Sequence, residues 1–180
     1  GYLVRENQFS INEVNSLRDA LERAVNKAQE KAPSGKAYYL DKKKFVDVDY
    51  MTLQYEPQSK DNILKVIEPA HFLDKELYSL TQDTRITDPV RSILEEDEIS
   101  LWTDKLNLKR PGKGSGFGWH QDSPYWVHDS QNVDLLPNVY LSLDNADANN
   151  GCFRVIRASH KAGCLPGTSN GTQLGGFYTD

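Results

Sequence analysis

His120 and Asp122 stand two residues apart in the run GWHQDSPYW, residues 118–126, directly behind the glycine-rich stretch KGSGF. An imidazole and a carboxylate are two ligand types for a divalent metal. In a strand, residues i and i+2 project from one face. The two side chains would then converge, with Gln121 between them facing away. Such a pair supplies two ligands of a 2-His-1-carboxylate facial triad, which holds Fe(II) and leaves positions open for a co-substrate and dioxygen. His-x-Asp is a short motif, and the other reading of the same residues is a hydrogen-bonded surface pair. A triad also needs a second histidine. The three others are His71, in the first half of the chain, His128, six residues past Asp122, and His160, 38 residues past Asp122 in the run ASHKAG.

The elements around these residues are legible in outline. Tyr2, Leu3 and Val4 suggest a short opening strand. Ser10 followed by Glu13 is a capping-box pattern, with Phe9 and Val14 placed as its hydrophobic staple. Val14, Leu17, Leu21, Ala24, Val25 and Ala28 recur at helical spacing up to the break at Pro33-Ser34-Gly35. AYYL and YMTLQYE read as strand pieces. The basic run Lys42–Lys44 reads as a solvated turn or strand end. Residues 62–82 suggest helix, or helix and loop, most clearly in LDKELYSLTQD. TDPVRSILEE suggests a second short helix, capped by Thr87 or Asp88 with Pro89 in its first turn. After residue 97 the texture changes. ISLWTDKLNLKRPG, NVYLSLDNAD and CFRVIRASH read as strands, and ANNG between the last two is a turn signal.

Composition bounds the class. With 38% hydrophobic and 26% charged residues over 180 positions, the chain has the profile of one soluble globular domain. A net charge of −5 disfavours nucleic acid and anionic membrane surfaces as partners. No apolar run approaches the roughly 18 residues of a spanning helix, and no leader pattern opens the chain. Two cysteines, Cys152 and Cys164, make no disulfide scaffold, so a cytoplasmic setting is expected. The expected architecture is a single α+β domain over 1–180, helix-rich over 1–97 and strand-rich over 98–180, with helices against a β-sandwich or barrel.

Two longer stretches, LNLKRPGKGSGFGWHQDSPYW and NVYLSLDNADANNGCFRVIRASHKAG, carry a resemblance to the phytanoyl-CoA dioxygenase family of Fe(II)/2-oxoglutarate oxygenases. GYLVRENQFSINEVNSLRDAL and LKVIEPAHFLDKELYSL resemble that family's opening and middle regions. The resemblance implies a mainly β double-stranded β-helix, a jelly roll of cupin type, behind N-terminal helices. It implies iron at His120 and Asp122, and a small-molecule substrate hydroxylated with dioxygen while 2-oxoglutarate becomes succinate. Lys65 falls where the family has a lysine near 2-oxoglutarate, and Lys105 and Tyr140 fall at strand positions lining the same pocket. A dianion needs cationic or donor partners, which suits the lysines. The family's distal histidine and its 2-oxoglutarate-binding arginine would follow residue 180, so the chain is expected to be cut inside the β-helix, inactive alone, with residues missing at its start. His160 would then line or support the site, with ligation by it as the alternative. Halogenating members have a small residue in place of the carboxylate, so Asp122 implies hydroxylation. Trp119, Tyr125 and Trp126 would face a hydrophobic substrate or pack in the core. The competing classes are an inactive family member that only binds, and a cupin-like metal-binding protein.

Overall fold

The computed structural model describes residues 1–40, 42–57, 61–127, 130–165, 167–169 and 177–179. The chain divides into two compact units, Asn7–Ser115 and Gly1–Glu6 with Gly116–Asp180.

In the unit Asn7–Ser115, helix α1 covers Ile11–Lys31 and starts as expected. The Ser10 side chain accepts from the Glu13 amide, while Glu13 Oε2 accepts from the Ser10 amide at 2.7 Å. Phe9 carries the Arg85 guanidinium 4.0 Å above its ring centre, and Arg85 Nη1 donates to Glu13 Oε1 at 2.8 Å. Leu17, Ala20, Ala24, Val25 and Ala28 form the buried face of α1. Its three small alanines are fully buried, letting the helix backbone lie close on its neighbours.

A five-stranded antiparallel meander runs in the order β1 (Lys36–Leu40), β2 (Lys43–Val48), β3 (Met51–Tyr55), β4 (Leu64–Glu68) and β5 (Leu106–Asn107). β3 alternates buried and half-buried residues, the mark of a sheet with one face on the core. Lys43 and Lys44 open β2, so the basic run lies at a strand end. Gly35 just before β1 has no room for a side chain: a Cβ there would stand 2.5 Å from Val46 Cγ1. Val46, Val48, Met51, Leu53, Leu64 and Ile67 join the alanine face of α1 in one core.

Several elements depart from expectation. Residues 64–68, expected within helix or loop, form strand β4, buried at four of five positions. A short run with β-branched Val66 and Ile67 is better satisfied between two ladders than on a helix with one buried face. Helix α2 covers Lys75–Leu80, and helix α3 covers Thr84–Leu94 with Asp83, not Thr87 or Asp88, as its cap. Asp83 accepts from the Arg85 amide at 2.9 Å, and Pro89 lies inside α3 rather than in its first turn. Tyr2–Val4 form no strand and are exposed. Residues 138–147 and 152–160, expected as strands, form no ladder, and neither segment meets a ladder partner among the described residues. A strand exists only through its pairing. The turn between them does form, closed by hydrogen bonds from Asn150 and Cys152 to the Asp147 carbonyl.

The unit Gly1–Glu6 with Gly116–Asp180 contains helix α4 (Ser123–Trp126) and two short paired strands, β6 (Gly167–Ser169) and β7 (Phe177–Thr179). Among the described residues no helix is long and apolar enough to cross a membrane.

One buried polar network closes the unit Asn7–Ser115. Lys65 and Glu56 are each only 5% exposed. Lys65 Nζ donates to Ser115 Oγ at 2.5 Å, and the Ser115 hydroxyl and amide donate to the Glu56 carboxylate at 2.5 and 3.0 Å. Burial pushes the Lys65 ammonium below its ordinary pKa, and Glu56 opposes that shift.

Two stability experiments follow from these contacts. Removing one member of a buried charge pair costs about 3–5 kcal/mol, because the other charge is left uncompensated. Lys65→Met should lower stability by that order in urea denaturation, and Lys65→Met with Glu56→Leu should lose less than the two single losses together. Glu13 concerns pH: the hydrogen bonds from Ser10 and Arg85 bring its carboxyl from 4.5 down to about 2. A depressed carboxyl stabilises the fold fully above its unfolded value, and that stability is lost as pH falls through the folded value. Melting temperature should therefore fall between pH 4.5 and about 2, and Glu13→Gln should flatten that part of the profile.

Candidate metal centre

His120 and Asp122 do come together, although not by the route expected. Residues 119–122 form no strand, and Asp122 sits at helical angles, φ −78° and ψ −30°, at the head of α4. An aspartate there usually caps the following helix. Here its side chain caps nothing. Oδ1 stands 3.4 Å from His120 Nε2, and Oδ2 accepts from Asn138 Nδ2 at 2.8 Å. The convergence is thus made by a tight bend at the start of α4 rather than by strand alternation.

The imidazole is oriented from its other side. His120 Nδ1 lies 2.7 Å from the Gly118 carbonyl oxygen. A carbonyl oxygen only accepts, so the proton of this bond is on Nδ1, and in the neutral ring Nε2 carries the lone pair. The ring of Tyr125 meets the imidazole edge-on, with centroids 6.2 Å apart. Both ligand candidates are just over one-third exposed, at 36% and 38%, so a cation can reach them.

Two readings of the contact are chemically open. With a protonated ring it is an imidazolium–carboxylate ion pair. With a neutral ring, two lone-pair donors face each other across 3.4 Å. Bonds of about 2.0–2.2 Å to histidine nitrogen and carboxylate oxygen let one divalent ion span that gap. The donor set therefore fits such an ion. Histidine ligands that donate their second N–H to a carbonyl, and carboxylate ligands held by a donor, are the usual support of a metal site. Gly118 and Asn138 stand in those two places. Neither was singled out in the sequence: one acts through its backbone, the other from 16 residues downstream.

The remaining candidates are placed as follows. Among the described residues no group of three or more His, Cys, Asp or Glu side chains is gathered, so His160 does not join the pair. His160 lies in a short turn, Ser159–Ala162. His128 falls outside the described residues. His71 is engaged elsewhere, its Nδ1 2.5 Å from Asp104 Oδ1. Tyr140 stacks on Phe153, with centroids 4.8 Å apart, in the same unit as His120. Lys65 and Lys105 belong to the unit Asn7–Ser115, Lys65 bonded to Ser115 and Lys105 exposed. Trp119 is 48% exposed, whereas Tyr125 and Trp126 are half-buried.

The chain shares sequence with several oxygenases. It is 31% identical over 162 residues to the ectoine dioxygenase of Sphingopyxis alaskensis, covering 89% of this chain and 46% of that protein. It is 33% identical over 72 residues to the L-proline trans-4-hydroxylase of Streptomyces griseoviridis, 39% of this chain and 27% of that one. With the phytanoyl-CoA dioxygenase domain-containing protein 1 homolog of Caenorhabditis elegans it shares 26% over 185 residues, 89% and 62% of the two chains. The chain spans about half the length of the curated relatives it matches. No solved structure matches at comparable stringency. The profile of the family described as Phytanoyl-CoA dioxygenase (PhyH) covers residues 1–173, and the chain belongs to that family.

Proposed function

We propose that the protein is a non-haem Fe(II)/2-oxoglutarate-dependent dioxygenase that hydroxylates a small organic molecule. The observation that carries this reading is the His120 Nε2–Asp122 Oδ1 pair at 3.4 Å, with Gly118 and Asn138 holding the far atoms of both side chains. Membership of a family with dioxygenase and hydroxylase relatives gives the reaction type. The proposed fold of the whole protein is the double-stranded β-helix of that family, with residues 1–180 as part of one catalytic domain.

The metal would be held by His120 Nε2 and Asp122 Oδ1, with a further histidine that the described residues do not supply at this pair. Bound Fe(II) would supply oxygen activation, with 2-oxoglutarate converted to succinate and carbon dioxide. The chain's own residues orient and charge the site. Gly118 keeps the Nε2 lone pair directed at the pair, and Asn138 turns the Asp122 carboxylate so that Oδ1 faces the same point. The reading assigns the carboxylates of 2-oxoglutarate to Lys65, Lys105 and the Tyr140 hydroxyl, since a dianion needs cations and donors. Glu56 favours the charged form of Lys65, opposing the downward push that burial gives its pKa. Asp122 fills the ligand place that a halide would need, so the reaction is an oxygenation. A cytoplasmic setting accompanies the reading, with Cys152 and Cys164 both free thiols.

The test uses the intact protein with Fe(II), 2-oxoglutarate, excess chloride and candidate substrates, with succinate and product mass as readouts. His120→Ala and Asp122→Ala should each abolish succinate formation, and the unmodified protein should give a product heavier by one oxygen. Succinate formed at the parent rate by either variant would refute the metal assignment. A chlorinated main product would mean that Asp122 is not at the metal. An unmodified protein that binds 2-oxoglutarate without turnover would instead mark a binding protein.

A further inference from the structure

Gln121, the residue between the two ligand candidates, does not simply face away. Its side-chain amide is anchored at both ends. Nε2 donates to the Gly163 carbonyl at 2.9 Å, and Oε1 accepts from the Leu165 amide at 2.7 Å. The orientation of the amide is fixed by its partners, since a carbonyl requires the NH2 and an N–H requires the oxygen. A side chain bonded to the carbonyl of one residue and the amide of the residue two further on reproduces the pairing a neighbouring strand residue would offer. Gln121 thus acts as a one-residue strand surrogate.

The two peptide planes flanking Gln121 are those that carry His120 and Asp122. We propose that Gln121 is a positioning residue for this pair, locking the His120–Asp122 backbone to the chain at Gly163–Leu165. This inference rests on the metal-binding reading of the pair. The bend at the head of α4 is also held by the Tyr125 amide bond to the Asp122 carbonyl, at 2.9 Å, and the Gln121 lock adds to this. With it, three consecutive residues are each fixed by a different segment: His120 by Gly118, Gln121 by Gly163 and Leu165, and Asp122 by Asn138. Ligand geometry must hold to about 0.5 Å for a productive site, and a tether on the residue between the two ligand candidates serves that precision. The tether also reaches the segment after His160, because the Gly163 amide donates to the His160 carbonyl at 3.3 Å. Coupling of this kind is reciprocal: if the tether favours metal binding, bound metal must favour the tether.

The experiment titrates Co(II), read by its visible absorption, into the intact protein and into Gln121→Met and Gln121→Glu. His120→Ala serves as the baseline. Hydrogen–deuterium exchange of the Leu165 amide is followed with and without the metal. Loss of a group that supports metal ligands lowers affinity about 10–100-fold, and Gln121→Met should show a loss in that range. Gln121→Glu keeps the acceptor for Leu165 but sets a carboxylate oxygen against the Gly163 carbonyl, so it should weaken binding as well. In the unmodified protein Co(II) should slow exchange at Leu165, a readout that needs no variant to fold. Co(II) affinity of Gln121→Met within twofold of the parent, or Leu165 exchange indifferent to metal, would overturn the positioning role while the metal reading stands. If the parent and His120→Ala bind Co(II) equally, the metal reading itself fails and the positioning role falls with it.

Discussion

An imidazole in its neutral form has one N–H to donate and one nitrogen lone pair to offer. In this protein the Gly118 carbonyl decides which is which. Because Nδ1 is committed to that oxygen at 2.7 Å, it is Nε2 that faces Asp122, with its lone pair when the ring is neutral. The reverse arrangement, with the lone pair on Nδ1, would aim it at the partial negative charge of a carbonyl and leave an N–H against a carboxylate. That would make the pair a simple hydrogen bond. The backbone between Gly118 and Asp122 must therefore fold back on itself. The glycine at 118 precedes Trp119 in a stretch with no regular secondary structure, and Asp122 closes the bend at helical angles. Both features serve the same end, which is to present two donors to one point.

The unit Asn7–Ser115 is organised on a different principle. Ala20, Ala24 and Ala28 let α1 approach closely, and Val46, Leu53 and Ile67 complete the same core. The buried charged side chains Glu56, Lys65 and Asp74 are all hydrogen-bonded. Arg23 meets Asp74 at 2.8 Å, Arg85 bridges α1 and α3, and Lys65 is bonded to the Ser115 hydroxyl that Glu56 accepts. Ser115 is the last residue of this unit, five positions before His120 in the sequence. It follows Gly112 and Gly114, whose loop closes on the Arg110 carbonyl through the Lys113 and Gly114 amides. Gly112 adopts a positive φ of 68°, a conformation few other residues take without strain.

What was legible in the sequence follows how local each signal is. The start of α1 is written within four residues, since Ser10 and Glu13 cap each other and need nothing else. The turn at Asp147–Gly151 is equally local, built from Asp and Asn side chains that bond their own backbone. Strand β4 lies in the stretch 62–82 that reads as helix, or helix and loop, most clearly in LDKELYSLTQD, and only the ladders to β3 and β5 show its run to be extended. The segments at 138–147 and 152–160 have strand-like composition without pairing among the described residues, which composition cannot reveal. At the candidate metal centre the residue types and their spacing point to the pair, but the geometry behind them differs. Strand alternation predicts Gln121 facing away from the pair. In the bent loop it reaches Gly163 and Leu165, more than forty residues away, and no pattern near residue 121 announces that contact.

The central claim is that Nε2 of His120 is the metal-binding nitrogen, with the proton held on Nδ1. Long-range proton–nitrogen NMR of the intact protein labelled with 15N-histidine tests it directly, with Zn(II) as a diamagnetic stand-in for iron. The account predicts that His120 shows a protonated Nδ1 before and after metal addition, and that only the Nε2 resonance moves to a metal-bound shift. A neutral His120 with its single proton on Nε2, or a metal-induced shift confined to Nδ1, would contradict it.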